Sequence, residues 1–469
     1  VERRRRRLRG WHVVVTQQAG IQGTGHPIRR IAYLCLILLL AAAIGVYVSA
    51  RIRWSRRIDR QFAAMKAARL PTTLAELNRW YRLPDGVIEN AADTYLDAFA
   101  CYVEPNEEDA NKVPASSTSD LPGRTESLPG QTQEAMARFV AGNKRALTLL
   151  HEAADIPACR YPIDFRKGQA AQVPWQNLVK SVYLLCCDAI LLAEHGQSAS
   201  AGRSIESAAR VQDSLLAEPL VLSQSTRMYL IPTILSSLER VMTRGALPPE
   251  VLLGVDRALA RADDPNAMRR AMVGECLLGI DLIQHTPTCG LSPSDEGWNP
   301  GPIGLWIYRA VGLGDRDEAE YMEGVTAVVE ALALPERQRL SAVVALERDQ
   351  QKVPSSNHVL LDLVRPRGSA YCLFELSALA QIRAAGTALA VERYRLKTVS
   401  LPASLEGLGP EYLAAVPLDP FTGDPLKYRQ LAKGYVVYSV GQDLSDDGGK
   451  ERPPKGEADL YDVTFIVER

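Results

Sequence analysis

The sequence predicts a mainly α-helical protein: a membrane-anchored helical bundle or irregular α-solenoid, followed by a small α+β module of one long helix and a short antiparallel sheet. Three observations predict it. A charge-free apolar run, "IAYLCLILLLAAAIGVYVSA", fills residues 31–50. Apolar residues then recur at helical spacing from about residue 134 to 352, and strand-like alternation is confined to the carboxyl-terminal part.

The apolar run holds neither charge nor proline, and roughly 20 apolar residues are what an α-helix needs to cross a hydrocarbon core. A buried core helix of that length would show a polar face, and this one has none. A cleaved signal peptide competes, because basic residues precede the run and Ser49 and Ala50 close it. Signal cores, however, usually span about 7–15 residues, and Arg51, Arg53, Arg56, Arg57 and Arg60 follow at once. An uncleaved transmembrane helix over 31–50 is therefore expected. Arginines at 3–7, 9, 29 and 30 make residues 1–30 a basic tail. By the positive-inside tendency that tail is cytoplasmic and the bulk of the chain extracytoplasmic. The whole chain carries 54 basic and 55 acidic residues, and its basic excess lies only at this end. The charge pattern is thus a topology signal, and no nucleic-acid partner is expected.

Residues 51–365 read as an extracytoplasmic helical domain. A helix over 74–80, a Pro-Asp-Gly turn and a second helix capped by Asn90 come first. Residues 103–133 are rich in Pro, Ser, Thr, Asn and Glu and are expected as a surface loop or disordered insert. Leu178, Val182, Leu185, Ala189 and Leu192 then lay an apolar stripe along one helix. Ile205, Ala208, Val211 and Leu215 lay a second after a short polar turn, predicting an αα-hairpin. A third helix surrounds Ile231, Ile234, Leu238 and Val241, and more cover 249–262, 266–284, 316–333 and 336–351. No fixed period identifies a tetratricopeptide array.

Cysteine and histidine usage adds little chemistry. Of the eight cysteines, Cys35 lies in the span, so an odd number remains and at least one stays unpaired in a monomer. Cys276 and Cys289 form a disulfide or remain separate thiols, while the adjacent Cys186 and Cys187 point about 100° apart on a helix and read as core packing. His285, Cys289 and Cys276 are a sparse zinc set, set against a loop histidine beside a disulfide. "GWNPGPIGLW" at 297–306 carries Trp298 and Trp306, either as a binding loop or as aromatic anchors on the core. No hydrolase, metalloprotease, phosphate-loop or dinucleotide motif occurs. Nothing singles out Glu206 or Asp213 as an acid or base, and no catalytic residue is assigned.

The last module covers 366–469. A long helix over about 369–397 carries Cys372, Leu376, Leu379, Ile382 and Leu389 on one side. A loop follows, broken by Pro402, Pro410, Pro417, Pro420 and Pro425, and then strands near 426–429, 434–440 and 463–467 with a turn at Lys433 and Gly434. "ALAVERYRLKTVSLPASLEGL", "PLDPFTGDPLKYR" and "YVVYSVGQD" followed by "GEADL" resemble the globular part of the major pseudopilins of type II secretion systems, over residues 370–462. That resemblance implies envelope or secretion-machinery proteins as partners. A pseudopilin has its cleavage motif and a glutamate at the start of its membrane helix. Residues 31–50 have no such glutamate, and a whole helical domain intervenes, so a processed filament subunit is not expected.

The acidic loop "YSVGQDLSDDGG" at 438–449 crowds Asp443, Asp446 and Asp447 beside glycines. Like charges so close repel unless a cation or protons intervene, and hard cations such as calcium take carboxylate and carbonyl oxygens. The resemblance implies Ca2+ here, with Asp443 and Asp459 at the family's positions and Asp446, Asp447 and Ser445 as added ligands. The plain alternative is a solvated acidic turn. Three functional readings follow: a membrane-anchored scaffold or interaction protein with a calcium-stabilised module, an extracytoplasmic hydrolase with its site between helices, and a secretion or pilus-like assembly component.

Overall fold

The structure, a computed structural model, describes residues 27–114, 121–170, 174–285, 301–351, 358–364, 367–452 and 461–469. The chain divides into two compact units, Val1–Arg53 and Trp54–Arg469.

In the first unit the apolar run lies on helix α1, Pro27–Ala67, and Ile31, Leu34, Leu38 and Val46 are all exposed. Among the described residues, two helices have the length and composition to cross a membrane. One is this helix near the amino terminus, with mean hydropathy 2.6 and none of its most apolar window buried. The other is Trp175–Glu194, with mean hydropathy 1.3 and 67% of that window buried. Burial inside the second unit explains Trp175–Glu194 as a core helix, whereas among the described residues none of the window near the amino terminus is buried.

The second unit is helical up to its carboxyl end. Helices α2 (Leu74–Trp80), α3 (Ala91–Ala100), α4 (Gly130–Gly142) and α5 (Lys144–Ala154) are followed by α6 (Trp175–Glu194), α7 (Ser198–Asp213) and α8 (Val221–Arg244). Then come α9 (Pro249–Ala262), α10 (Ala267–His285), α11 (Gly301–Ala310), α12 (Leu313–Ala331), α13 (Glu336–Gln351), α14 (Leu361–Val364) and α15 (Gly368–Thr398). Thr73 caps α2 by accepting from the Glu76 N–H, and Asn90 caps α3 by accepting from the Ala92 N–H. Such caps satisfy N–H groups that a helix end leaves orphaned.

The predicted hairpin is α6 with α7, and α8 and α9 extend it by packing on α7. Leu178, Val182, Leu185 and Ala189 are fully buried, as are Cys186 and Cys187, whose role is packing. Burial pushes the Cys186 thiol up to about 12, which keeps it unreactive. Each fully buried Leu or Val of this stripe contributes about 1.5–3 kcal/mol. Close approach also shapes α10: a Cβ at Gly279 would lie 2.1 Å from Tyr321 Oη, the hydroxyl that donates to the Glu275 carbonyl at 2.8 Å.

The described residues of 103–129 are mostly exposed loop and turn, with α4 starting at Gly130, and a few of their side chains pack inward. Asp109, Val113 and Leu128 are buried, and Asp109 is gripped by Arg138 through two hydrogen bonds of 2.7 and 2.9 Å. Arg240 donates to the carbonyls of Pro122, Gly123 and Glu126. The polar composition is real, but guanidinium groups from the helices bind the segment's carbonyls and carboxylates.

Helix α15 lies between helices and sheet, against α8, α9 and α13 on one side and β2 and β3 on the other. The sheet runs β1 (Lys427–Leu431), β2 (Gly434–Ser439), β3 (Val463–Glu468), in that order and antiparallel. Lys427 pairs with Tyr438, Leu431 with Gly434 and Ser439 with Val463. The Tyr435 hydroxyl donates to the Ala388 carbonyl at 3.0 Å, and Arg395 and Arg469 both reach buried Glu392. The long helix therefore shares its core with both neighbours.

Candidate functional site

The acidic loop grows from the end of β2, where the chain must turn back toward β3. Gly448 and Gly449 supply the turn at φ of 73° and 70°, in the left-handed region that glycine enters at little cost. Asp446 accepts from Gly448 N–H at 3.0 Å and from the Tyr438 hydroxyl at 3.1 Å, and its other oxygen lies 3.1 Å from Lys427 Nζ. Although partial burial opposes ionisation, these donors hold its carboxyl below the usual range. Asp443 accepts only from Ser445 N–H among the described residues, at 3.0 Å. Asp447 stands exposed, its backbone N–H directed at Asp462. Asp459 lies outside the described residues.

Two carboxylates that do not stand out in the sequence organise this region. Asp462, buried just before β3, accepts from Gly449 N–H at 2.7 Å and from Asp447 N–H at 3.4 Å. Burial, then the charges of Asp446 and Asp447, push its carboxyl up against those N–H donors. Asp419 accepts from Phe421 N–H at 2.8 Å and from Val440 N–H at 2.9 Å, joining the proline-rich loop to the end of β2. Both act as loop staples, since carboxylates receiving N–H bonds replace water at buried backbone. For a calcium ion, Asp443 and Asp447 retain oxygens without a donor among the described residues, whereas Asp446 pairs with Lys427. Among the described residues no group of three or more His, Cys, Asp or Glu side chains converges to hold a metal ion.

The other sequence candidates are dispersed. His285 bonds Asp281 at 3.0 Å on an exposed face of α10, Cys276 is a buried free thiol, and Cys289 and Trp298 lie outside the described residues. Trp306 sits on α11 with 69% of its surface exposed, beside Ile303, Ile307 and Val311, which are exposed as well. Trp306 therefore does not pack on the core, whereas Leu305 and Tyr308 of the same helix are buried.

A cleft of about 350 Å³ opens between α5, α6 and α7. His151 Nδ1 lies 2.7 Å from Ser207 Oγ, and the Ser204 hydroxyl donates to Asp188 at 2.6 Å. Burial lowers the His151 pKa against the opposing pull of Asp188, so at neutral pH the ring is a neutral base facing a hydroxyl. This pairing was invisible in sequence, because its members come from three helices and match no local motif. Ser207 is mid-helix, so its own N–H serves α7 and is not directed at a developing oxyanion. Comparison with family models, curated proteins and solved structures finds no match for this chain.

Proposed function

We propose that the protein is a single-pass membrane-anchored scaffold. Its residues 1–30 form a cytoplasmic tail, 31–50 the span, 51–365 an extracytoplasmic helical domain, and 366–469 a pseudopilin-like module. The observation that carries the reading is α1, whose apolar run is exposed along its length and flanked by arginines, an arrangement that water disfavours and a bilayer satisfies. The pseudopilin-like assignment is supported by a long helix packed on a three-stranded antiparallel sheet, at the positions of the matching motifs. Ile303, Trp306 and Ile307 on α11, with Val311 just after it, offer an apolar surface for an envelope or secretion-machinery partner. Calcium belongs to this reading as a stabiliser of the acidic loop, held by Asp443, Asp447 and Asp459.

Alkaline carbonate extraction of membranes tests the anchor. The chain is expected in the pellet, and Leu36→Arg with Leu39→Arg is expected to move it to the soluble fraction. Release of the unaltered chain by carbonate would refute it.

A second reading, a hydrolase of the helical domain, is favoured by the His151–Ser207 pair alone. It requires ester hydrolysis by the purified chain that falls at least a hundredfold in Ser207→Ala, and hydrolysis unchanged in that variant would exclude it.

A further inference from the structure

We propose that a second cleft, beside the one holding His151, binds a small carboxylate with a short apolar body. The cleft, of about 270 Å³, is bounded by α3, the 154–160 segment, α7 and α9, and three guanidinium groups line it from three separate elements: Arg160, Arg210 and Arg261. Arg160 Nη1 donates to the Cys159 carbonyl at 2.7 Å, and its guanidinium lies 5.6 Å over the Tyr81 ring. Arg261 Nη2 donates to the Pro157 carbonyl at 3.2 Å. Each bond uses one of five donors and leaves the rest of the fork to a ligand. Arg160 Nε is itself buried without a hydrogen-bond partner among the described residues, so a ligand in the cleft would meet the terminal nitrogens of the fork.

The charges near these arginines leave the cleft positive. Asp213 at its base is 6% exposed, both its oxygens lack hydrogen bonds, and its ion pair is with buried Arg227 at 3.6 Å. Arg261 and Arg210 also face the Asp213 carboxyl, which offsets part of their charge. Glu218, the carboxyl near Arg160, accepts from Tyr81 at 3.1 Å and from Ser223; burial pushes it up to about 8, so at neutral pH it carries little charge. Glu206 faces Arg210 from the neighbouring cleft and offsets one charge in part. A net positive site remains, and guanidinium forks match a carboxylate in two-point geometry.

Size and walls set the class of ligand. Small-molecule sites commonly measure about 300–1,000 Å³, so this one admits only a small molecule. Its remaining walls are largely apolar, with Tyr95, Ala91 and Ile156 among them, which favours an aromatic or short aliphatic body over a bare inorganic anion.

Isothermal titration of the full-length chain in detergent tests this with benzoate as the probe and inorganic phosphate as the comparison. Benzoate is expected to bind the unaltered protein, at least tenfold more weakly to Arg210→Gln with Arg261→Gln, and unchanged to Arg257→Gln on the exposed face of α9. Asp213→Asn is expected to bind at least as tightly as the parent, because it removes a negative charge from the base of the cleft. If the double variant does not fold, Arg210→Gln and Arg261→Gln singly should each weaken binding about threefold or more. No heat with benzoate, equal affinity in parent and arginine variants, or phosphate binding tighter than benzoate overturns the proposal.

Discussion

Glu239 on α8 accepts the backbone N–H of Ile466 on β3 at 2.6 Å, across 227 residues of sequence. Thr243, one turn further along, accepts from Glu468 N–H at 3.4 Å. Strand β3 is an edge of the sheet, and an open edge invites pairing with other chains; here a helix occupies its N–H groups. Arg124 completes the joint, reaching Glu239 at 3.7 Å, Glu468 at 3.2 Å and Glu451.

Removing the acceptor should loosen that joint. Glu239→Ala leaves a buried N–H unpaired and is expected to cost about 1–3 kcal/mol in denaturant unfolding of the full chain. Faster amide exchange at Ile466 and Glu468 should accompany it. Unchanged protection at those amides would show that the edge is held by other means.

Within the acidic loop, burial and partners reorder the expected residues. Asp462→Ala strands two backbone N–H groups and is expected to destabilise by about 1–3 kcal/mol, whereas Asp443→Ala, exposed with a single local bond, should stay within about 0.5 kcal/mol. Calcium tests the remaining role of Asp443. Millimolar calcium should raise the Tm of the full chain, and the rise should vanish in Asp443→Ala with Asp459→Ala; a Tm insensitive to calcium and chelator leaves a solvated turn.

Stability should fall toward alkaline pH. Burial raises Glu218 to about 8, Glu239 and Glu375 to about 7 and Asp213 to about 6. A carboxyl raised in the fold favours the protonated native state, so its contribution is complete below the ordinary carboxylate range and is lost as pH climbs through the raised value. Asp109, lowered by Arg138, and Asp264, lowered by Arg270 and Asn266 despite burial, work the other way and lose their contribution in acid. Tm should therefore peak near about pH 5 and decline to pH 8, with a shallower decline in Glu218→Gln. A Tm that rises steadily from pH 5 to 8 would contradict these assignments.

Local signals made much of the helical architecture legible. The 4-3-4-3 spacing from Leu178 found α6, and Asn90 marked the start of α3, because caps and apolar stripes are written within one or two turns. Helix α11 went unread: "GPIG" looks like loop, yet proline is well suited to the first turn of a helix. The staples Asp419 and Asp462 resembled ordinary loop aspartates, since their partners Val440 and Gly449 lie 21 and 13 residues away. Asp213 and its ring of arginines were illegible for the same reason, since the cleft exists only once α3, α7 and α9 have packed.

The placement of Trp54–Arg469 outside the cytoplasm is the claim on which the scaffold reading turns, and thiol labelling of intact cells tests it most directly. Ile88 is 94% exposed, so Ile88→Cys offers a reporter, compared with the unaltered chain to subtract native thiols. Labelling of Ile88→Cys by a membrane-impermeant maleimide, with the cell membrane sealed, is the expected result. Labelling only after the cell membrane is opened would put this unit in the cytoplasm and contradict the account.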